Sequence, residues 1–181
     1  RIAARGHHDA TTVTVEGELL HPPGATPTAD VWIRARDVDL GDDVRAGFGD
    51  RAERIYDRWA PSGVAAAIDV HVFNDPVVDG THSQTDVTLT LDGRATFRPR
   101  ELPTPLTVTA GQVEILRPVR DGVRDDLVAV KGLSATGDGF ELSRLDATVE
   151  GSGERVVEHI RIAGRAEAPE RALLGALQRT P

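Results

Sequence analysis

His71 follows Asp69 at strand spacing, and His82, Ser83 and Asp86 lie a short way along the chain. A serine hydrolase built from Ser83, His71 and Asp69 is the sharpest catalytic arrangement among these residues. That chemistry needs a shaped nucleophile turn and oxyanion donors, and nothing of the Gly-x-Ser-x-Gly kind surrounds Ser83. Asp37, Asp39, Asp42 and Asp43 gather around Gly41, as the hard oxygen ligands of a calcium loop do. The glycine stands in the wrong place for such a loop, however, and the glutamate that closes twelve residues is missing. A capped helix start and a solvated acidic turn account for the cluster better. His7 and His8 are adjacent, so on a strand they point apart, and His21, His71, His82 and His159 are scattered. Asp57, Glu101, Asp126 and Glu141 are candidates for a glycosidase pair, but with 29 acidic residues in 181 nothing selects two of them. No glycine-rich turn ends in Gly-Lys-Ser/Thr or joins a strand to a helix at dinucleotide spacing. The residues therefore read as those of a non-enzyme, with no catalytic, cofactor-binding or metal-binding set and no cofactor.

Composition narrows the partners. Aromatics are 4% of the chain and methionine is absent, so the core must come from Val, Leu, Ile and Ala. Stacking platforms for sugars or bases are not expected from such a composition. A net charge of -8 opposes nucleic-acid binding, which draws its affinity from a basic face. Lys131 is the sole lysine, and that preference for arginine fits a genomic base-composition bias. A chain of 181 residues suits one domain, needing neither metal nor disulfide to fold, and cysteine is absent. No apolar run approaches the roughly 20 residues that cross a bilayer. The chain opens at Arg1 and closes at Pro181, so both ends read as cut from something longer, with an anchor or leader expected outside it.

The elements that would position side chains are mostly strands. Residues 1–10 read as a loose polar lead-in, and 1–28 as a partly ordered segment with a first strand over 12–20, ended by Pro22, Pro23, Gly24 and Pro27. Val31, Ile33 and Ala35 alternate with Trp32, Arg34 and Arg36 in a second strand. The rhythm then changes once. Val44, Phe48, Ala52, Ile55 and Trp59 recur at spacings of four and three, which predicts a helix over 42–59, capped by Asp42 or Asp43 and stopped by Pro61 and Gly63. Trp59 is expected to anchor that helix in the core, and Trp32 to pack under a loop or form a protein contact.

Period two returns with Ala66, Ile68, Val70 and Val72 against Asp69 and His71, then with Val87, Leu89 and Leu91. Asp92 and Gly93 read as a hairpin-type turn or a bulge before Ala95 and Phe97. Pro99, Pro103 and Pro105 suit an extended connection or an edge. Short strands are expected at 106–109, 112–117, 127–133, 140–149 and 155–163, and a second helix at 168–179 behind Pro169. Ile160 to Leu177 faintly echoes Ile33 to Phe48, which points to a long-period repeat. The expected organisation is thus a β-rich domain over 29–181 with helices near 42–59 and 168–179, a fragment of a larger repeated protein.

Two segments carry a likeness to a known family. Ala29–Asp75 runs from the strand and turn of Ile33–Leu40 through the helix to the strand of Ile68 and Val72. Val87–Val119 runs from Leu91, Asp92 and Gly93 through the proline-containing stretch to Leu106, then to Val108–Ile115. In that order, over roughly 29 to 177, the chain resembles the AsmA-like and TamB-like bacterial envelope proteins. It departs from them in its two helical stripes and in having only four phenylalanines.

The resemblance implies a periplasmic or envelope location, anchored from outside this chain, and a curved antiparallel sheet forming a groove or taco. It implies a structural or lipid-conducting role between membranes, with phospholipid or another amphiphile as ligand. Other envelope proteins or further repeats of the same chain are the implied protein partners. Ile68, Val70, Val72, Val87, Leu89 and Leu91 would line that groove. The same alternation equally serves a closed core, so the alternative is a β-sandwich module binding protein or glycan.

Overall fold

Alternating apolar residues put one greasy face on each strand, and antiparallel pairing adds these faces into one surface. The structure is a computed structural model that describes residues 1–21, 23–24, 26–47, 56–57, 59–74, 84–100, 104–116, 119–120, 123–124, 126–138, 140–152 and 155–166. Its strands are β1 (Ile2–His8), β2 (Thr11–Leu20), β3 (Thr28–Asp39), β4 (Ser62–Phe73), β5 (Gln84–Leu91), β6 (Ala95–Phe97) and β7 (Leu106–Leu116). There follow β8 (Val119–Arg120), β9 (Val123–Arg124), β10 (Asp126–Gly137), β11 (Phe140–Ser152) and β12 (Arg155–Ala166). Nine of them form one antiparallel sheet in the order β1-β2-β3-β4-β5-β7-β10-β11-β12. The fold is mainly β and is not a closed barrel, since β1 and β12 end the sheet on opposite sides.

The sandwich alternative does not match this architecture. Among the described residues the only second sheet is the two-residue ladder of β8 and β9, too small to cover the large one. β6 pairs with β4 and β7 rather than with β5. It occupies the place β5 would reach if it ran on, so Asp92–Arg94 interrupts a strand and does not reverse it. Of the two readings of that turn, the bulge is the one observed.

Three expectations need correction. Residues 1–10 are not loose: Ile2–His8 pairs residue by residue with β2. Its period is hidden because an edge strand exposed on both faces, with only Ile2 half-buried, needs no apolar alternation. The separate strands at 106–109 and 112–117 are one strand, β7, with Gly111 inside it. Trp59 is 41% exposed and is not the core anchor its helical spacing predicts.

The helix α1 (Asp42–Gly47) begins where expected, and Tyr56, Asp57 and Trp59 are helical as well. Phe48, Ala52 and Ile55 of the predicted stripe lie outside the described residues, as does the whole of 168–179. Gly63 starts no helix stop; it lies inside β4, opposite Ala95. With φ at 84° and the Arg94 carbonyl oxygen 2.2 Å from where a Cβ would sit, that position admits no side chain without displacement.

A line of irregularities crosses the sheet. Asp37 in β3 takes φ 54°, the β7–β10 register shifts between Lys131 and Ser134, and β10–β11 and β11–β12 shift at the same level. On each strand the apolar spacing becomes odd there: Ala35 to Val38, Ile68 to Ala65, Val130 to Leu133, Leu142 to Leu145. An odd step in a regular strand throws the next side chain to the other face. A bulge absorbs one residue and returns it. In β10 and β11 such shifts let Leu133 and Leu142 join one packed cluster with Ala35, Val38, Ala65 and Ile68, whose β3–β4 register runs on unshifted.

Candidate functional site: the apolar face of the sheet

Two rows of directly opposed residues cross the sheet on that face. One holds Val15, Ile33, Val70, Val87, Ile115 and Val128; the next holds Ala35, Ile68, Leu89, Val113, Val130 and Ala147. All six residues marked by sequence lie on this surface or at its margin. Ile68 faces Leu89 and Val70 faces Val87, while Val72 continues the face toward the strand ends.

Their environments differ. Leu91 is 2% exposed and Ile68 8%, inside a cluster with Val38, Leu40, Ala65, Ala95, Val108 and Ala135. Val44 of α1 packs onto that cluster, along with Phe97 and Leu106. Backbone bonds from Leu40 N–H to Gly63 C=O (2.9 Å) and from Val64 N–H to Arg94 C=O (3.0 Å) hold this end closed. Val70, Val87 and Leu89 also pack against the cluster but, like Val72, are only half-buried. One end of the surface is therefore a core, and the other remains partly open. Alternation alone puts the six residues on one face; the division between them depends on what lies over each end.

The opposite, wet face carries charged pairs and one unexpected group. The Trp32 and His71 rings stack at 4.0 Å with planes 8° apart, and Phe73 stacks on His71 at 4.5 Å. Arg34, held by Glu16 at 3.0 Å, lies with its guanidinium carbon 5.2 Å from the Trp32 ring centre. His71 is opposite Trp32 on β4 and stacks on its ring, which stays 36% exposed. Trp32 thus packs within its own sheet, a third role beside the two expected. Trp32 and His71 come together only through the β3–β4 register, which aligning the two alternating strands antiparallel would have found.

Among the described residues the catalytic and metal candidates are not brought together. His71 Nε2 bonds Asp30 at 2.8 Å, while the Asp69 carboxylate accepts from Arg36 at 2.7 Å, so the histidine and Asp69 do not form a dyad. His82 and Ser83 lie outside the described residues. Asp37 is held by Arg94 at 2.7 Å and Asp43 by His8 at 3.1 Å, which divides the acidic cluster between two cations. Among the described residues no three His, Asp or Glu side chains are grouped to hold a metal ion. Asp57 pairs with Arg45 at 3.3 Å, Glu141 is exposed, and Glu101 and the Asp126 side chain are outside the description.

Charge coupling here is structural. The Arg94 fork beside Asp92 and the Arg144 guanidinium beside Asp146 each hold the carboxyl below its ordinary range. His8 is raised by its bond to Asp43 and by the nearby Asp9 charge. Burial raises the Tyr56 phenol, and Asp39 adds to it; its hydroxyl has no hydrogen-bond partner among the described residues. No known protein family, curated protein or solved structure matches the chain. No helix among the described residues is long and apolar enough to cross a membrane.

Proposed function

We propose that this chain is a non-catalytic segment of the cell envelope whose apolar sheet face carries the acyl part of a phospholipid or similar amphiphile. This is the role implied by its likeness to AsmA-like and TamB-like proteins. One observation carries the reading: two unbroken apolar rows cross a single sheet, and Val70, Val72, Val87 and Leu89 stay half-buried rather than enclosed. Acyl chains need apolar area without hydrogen-bonding demands, and a surface of Val, Leu and Ile supplies it. The charged pairs of the opposite face stay in water, so the sheet separates an apolar side from an aqueous one. The closed end at Leu91 and Ala95 stops the surface and gives the sheet its stability.

The test is native mass spectrometry with lipid extraction on the chain purified from a bacterial envelope. The comparison is with a Val70→Asp/Val87→Asp variant. Stoichiometric phospholipid on the parent, absent from a variant with unchanged circular dichroism, supports the reading. A lipid-free parent, or lipid retained by the folded variant, overturns it.

A further inference from the structure

β1 is the first strand of the sheet order, and among the described residues its outer edge pairs with nothing. The hairpin decides which backbone groups lie on that edge. His8 and Thr11 flank the two-residue turn Asp9–Ala10, in which Asp9 takes φ 51°. The pair closing such a turn exchanges both of its hydrogen bonds, and bonded and non-bonded pairs then alternate along the ladder. His8, Gly6, Ala4 and Ile2 are thus bonded inward to β2. Ala3, Arg5 and His7 turn their N–H and C=O groups outward, a row of three donors and three acceptors open to another chain.

The side chains along this edge have one sign of charge. β1 contains Arg5, His7 and His8, follows Arg1, and holds no acidic residue. Arg1 is spent on Glu18 at 3.1 Å and His8 on Asp43, and His7 bonds Thr12. Arg5 makes no ion pair with the described residues, and its cross-strand neighbour is the uncharged Thr14. Ala4 and Gly6, on the other face of the strand, leave room for small apolar side chains.

We propose that the outer edge of β1 takes an extended acidic segment of a partner protein as an added strand. Main-chain bonds to Ala3, Arg5 and His7 hold the segment, and its carboxylates on the wet face meet Arg5. A second copy fits poorly, because β1 against β1 sets basic residues on basic residues. β12, the last strand of the sheet order among the described residues, has four basic residues in its sequence and one acid, so β1 against β12 of another copy is also disfavoured by charge. The inference stands apart from the role of the apolar face.

Fluorescence anisotropy with the full chain tests it. The probes are a labelled peptide alternating valine with glutamate, its lysine counterpart, and an acidic peptide with proline at alternate positions. The glutamate peptide is expected to bind roughly tenfold more tightly than the lysine peptide, with the gap closing as salt rises. Arg5→Glu is expected to invert that order. Ala3→Pro removes only an outward N–H, which an edge strand tolerates, so the variant keeps its circular dichroism and loses the acidic peptide. The proline peptide is expected not to bind. Equal binding of acidic and basic peptides, binding of neither, or undiminished binding by a folded Ala3→Pro variant overturns the proposal. So does a concentration-dependent dimer that Ala3→Pro abolishes and the acidic peptide does not compete away.

Discussion

At one end of the apolar face Leu91, Ala95 and Val108 are buried in a cluster with Leu40, onto which Val44 of α1 packs; farther along the same face, Val70 and Val87 stay half-buried. The residue types are nearly identical, and only the covering differs. Hydrophobic side chains therefore do not by themselves announce a core. A row of valines is most stabilising where it is fully covered, and less so where it stays half-exposed.

The largest effect expected from this contrast is on stability. Leu91→Ala removes a side chain that is only 2% exposed and is expected to cost roughly 2–5 kcal/mol. Val87→Ala, half-open on the same strand, is expected to cost about 1 kcal/mol. Urea unfolding of both variants reads the difference, and equal losses would mean the two ends are equally closed. Gly63→Ala is next. Its left-handed backbone and the nearby Arg94 carbonyl predict a loss of roughly 1–3 kcal/mol. Gly6→Ala in β1, where a Cβ meets nothing within 4 Å, is expected to be neutral or slightly stabilising. Thermal melts that rank these two the other way would remove the claim that the closed end is tightly stitched.

A smaller effect belongs to the wet face. Trp32→Ala is expected to lose about 0.5–1.5 kcal/mol beyond its area, by breaking the stack with His71. The near-ultraviolet circular dichroism of the tryptophan should disappear with little change in the far-ultraviolet. An unchanged near-ultraviolet spectrum would show the column is not formed in solution.

The smallest effects are those of pH. The folded pKa of His8 lies above its ordinary 6.5, so its tie to Asp43 is fully present below that pH and is lost as pH rises through the folded value. Asp146 is depressed below 3.8, so its contribution is present above that pH and is lost as pH falls through the folded value. Nuclear magnetic resonance titration of His8 in the parent and in Asp43→Asn checks the first. A His8 pKa that does not fall in the variant would sever β1 from α1.

Much of the sheet was legible because period two marks strands whose faces differ. β2, β3, β4, β5 and the strands from β10 onward emerged from the alternation of residues such as Val31 and Ile33 or Val87 and Leu89. β1 was not legible, since a strand exposed on both faces has no reason to alternate. The continuity of β7 was hidden too, because Gly111 and the odd step from Val108 to Val113 look like a break until a bulge in the partner strand explains them. Trp59 misled for a related reason: helical spacing says which residues share a side, not how far along that side the core extends.

By itself the sequence determined the class of the fold and which residues of its alternating strands share a face. These follow from local rules, namely side-chain periodicity, turn chemistry and residue type. Tertiary structure alone decided that the strands form one sheet, that register shifts run through β10, β11 and β12, and that among the described residues β1 pairs on one side alone. It also decided that His71 stacks on Trp32 and bonds Asp30 instead of turning to Asp69. Those facts depend on register between residues far apart in the chain, and period two is the same for every register that keeps the apolar face together.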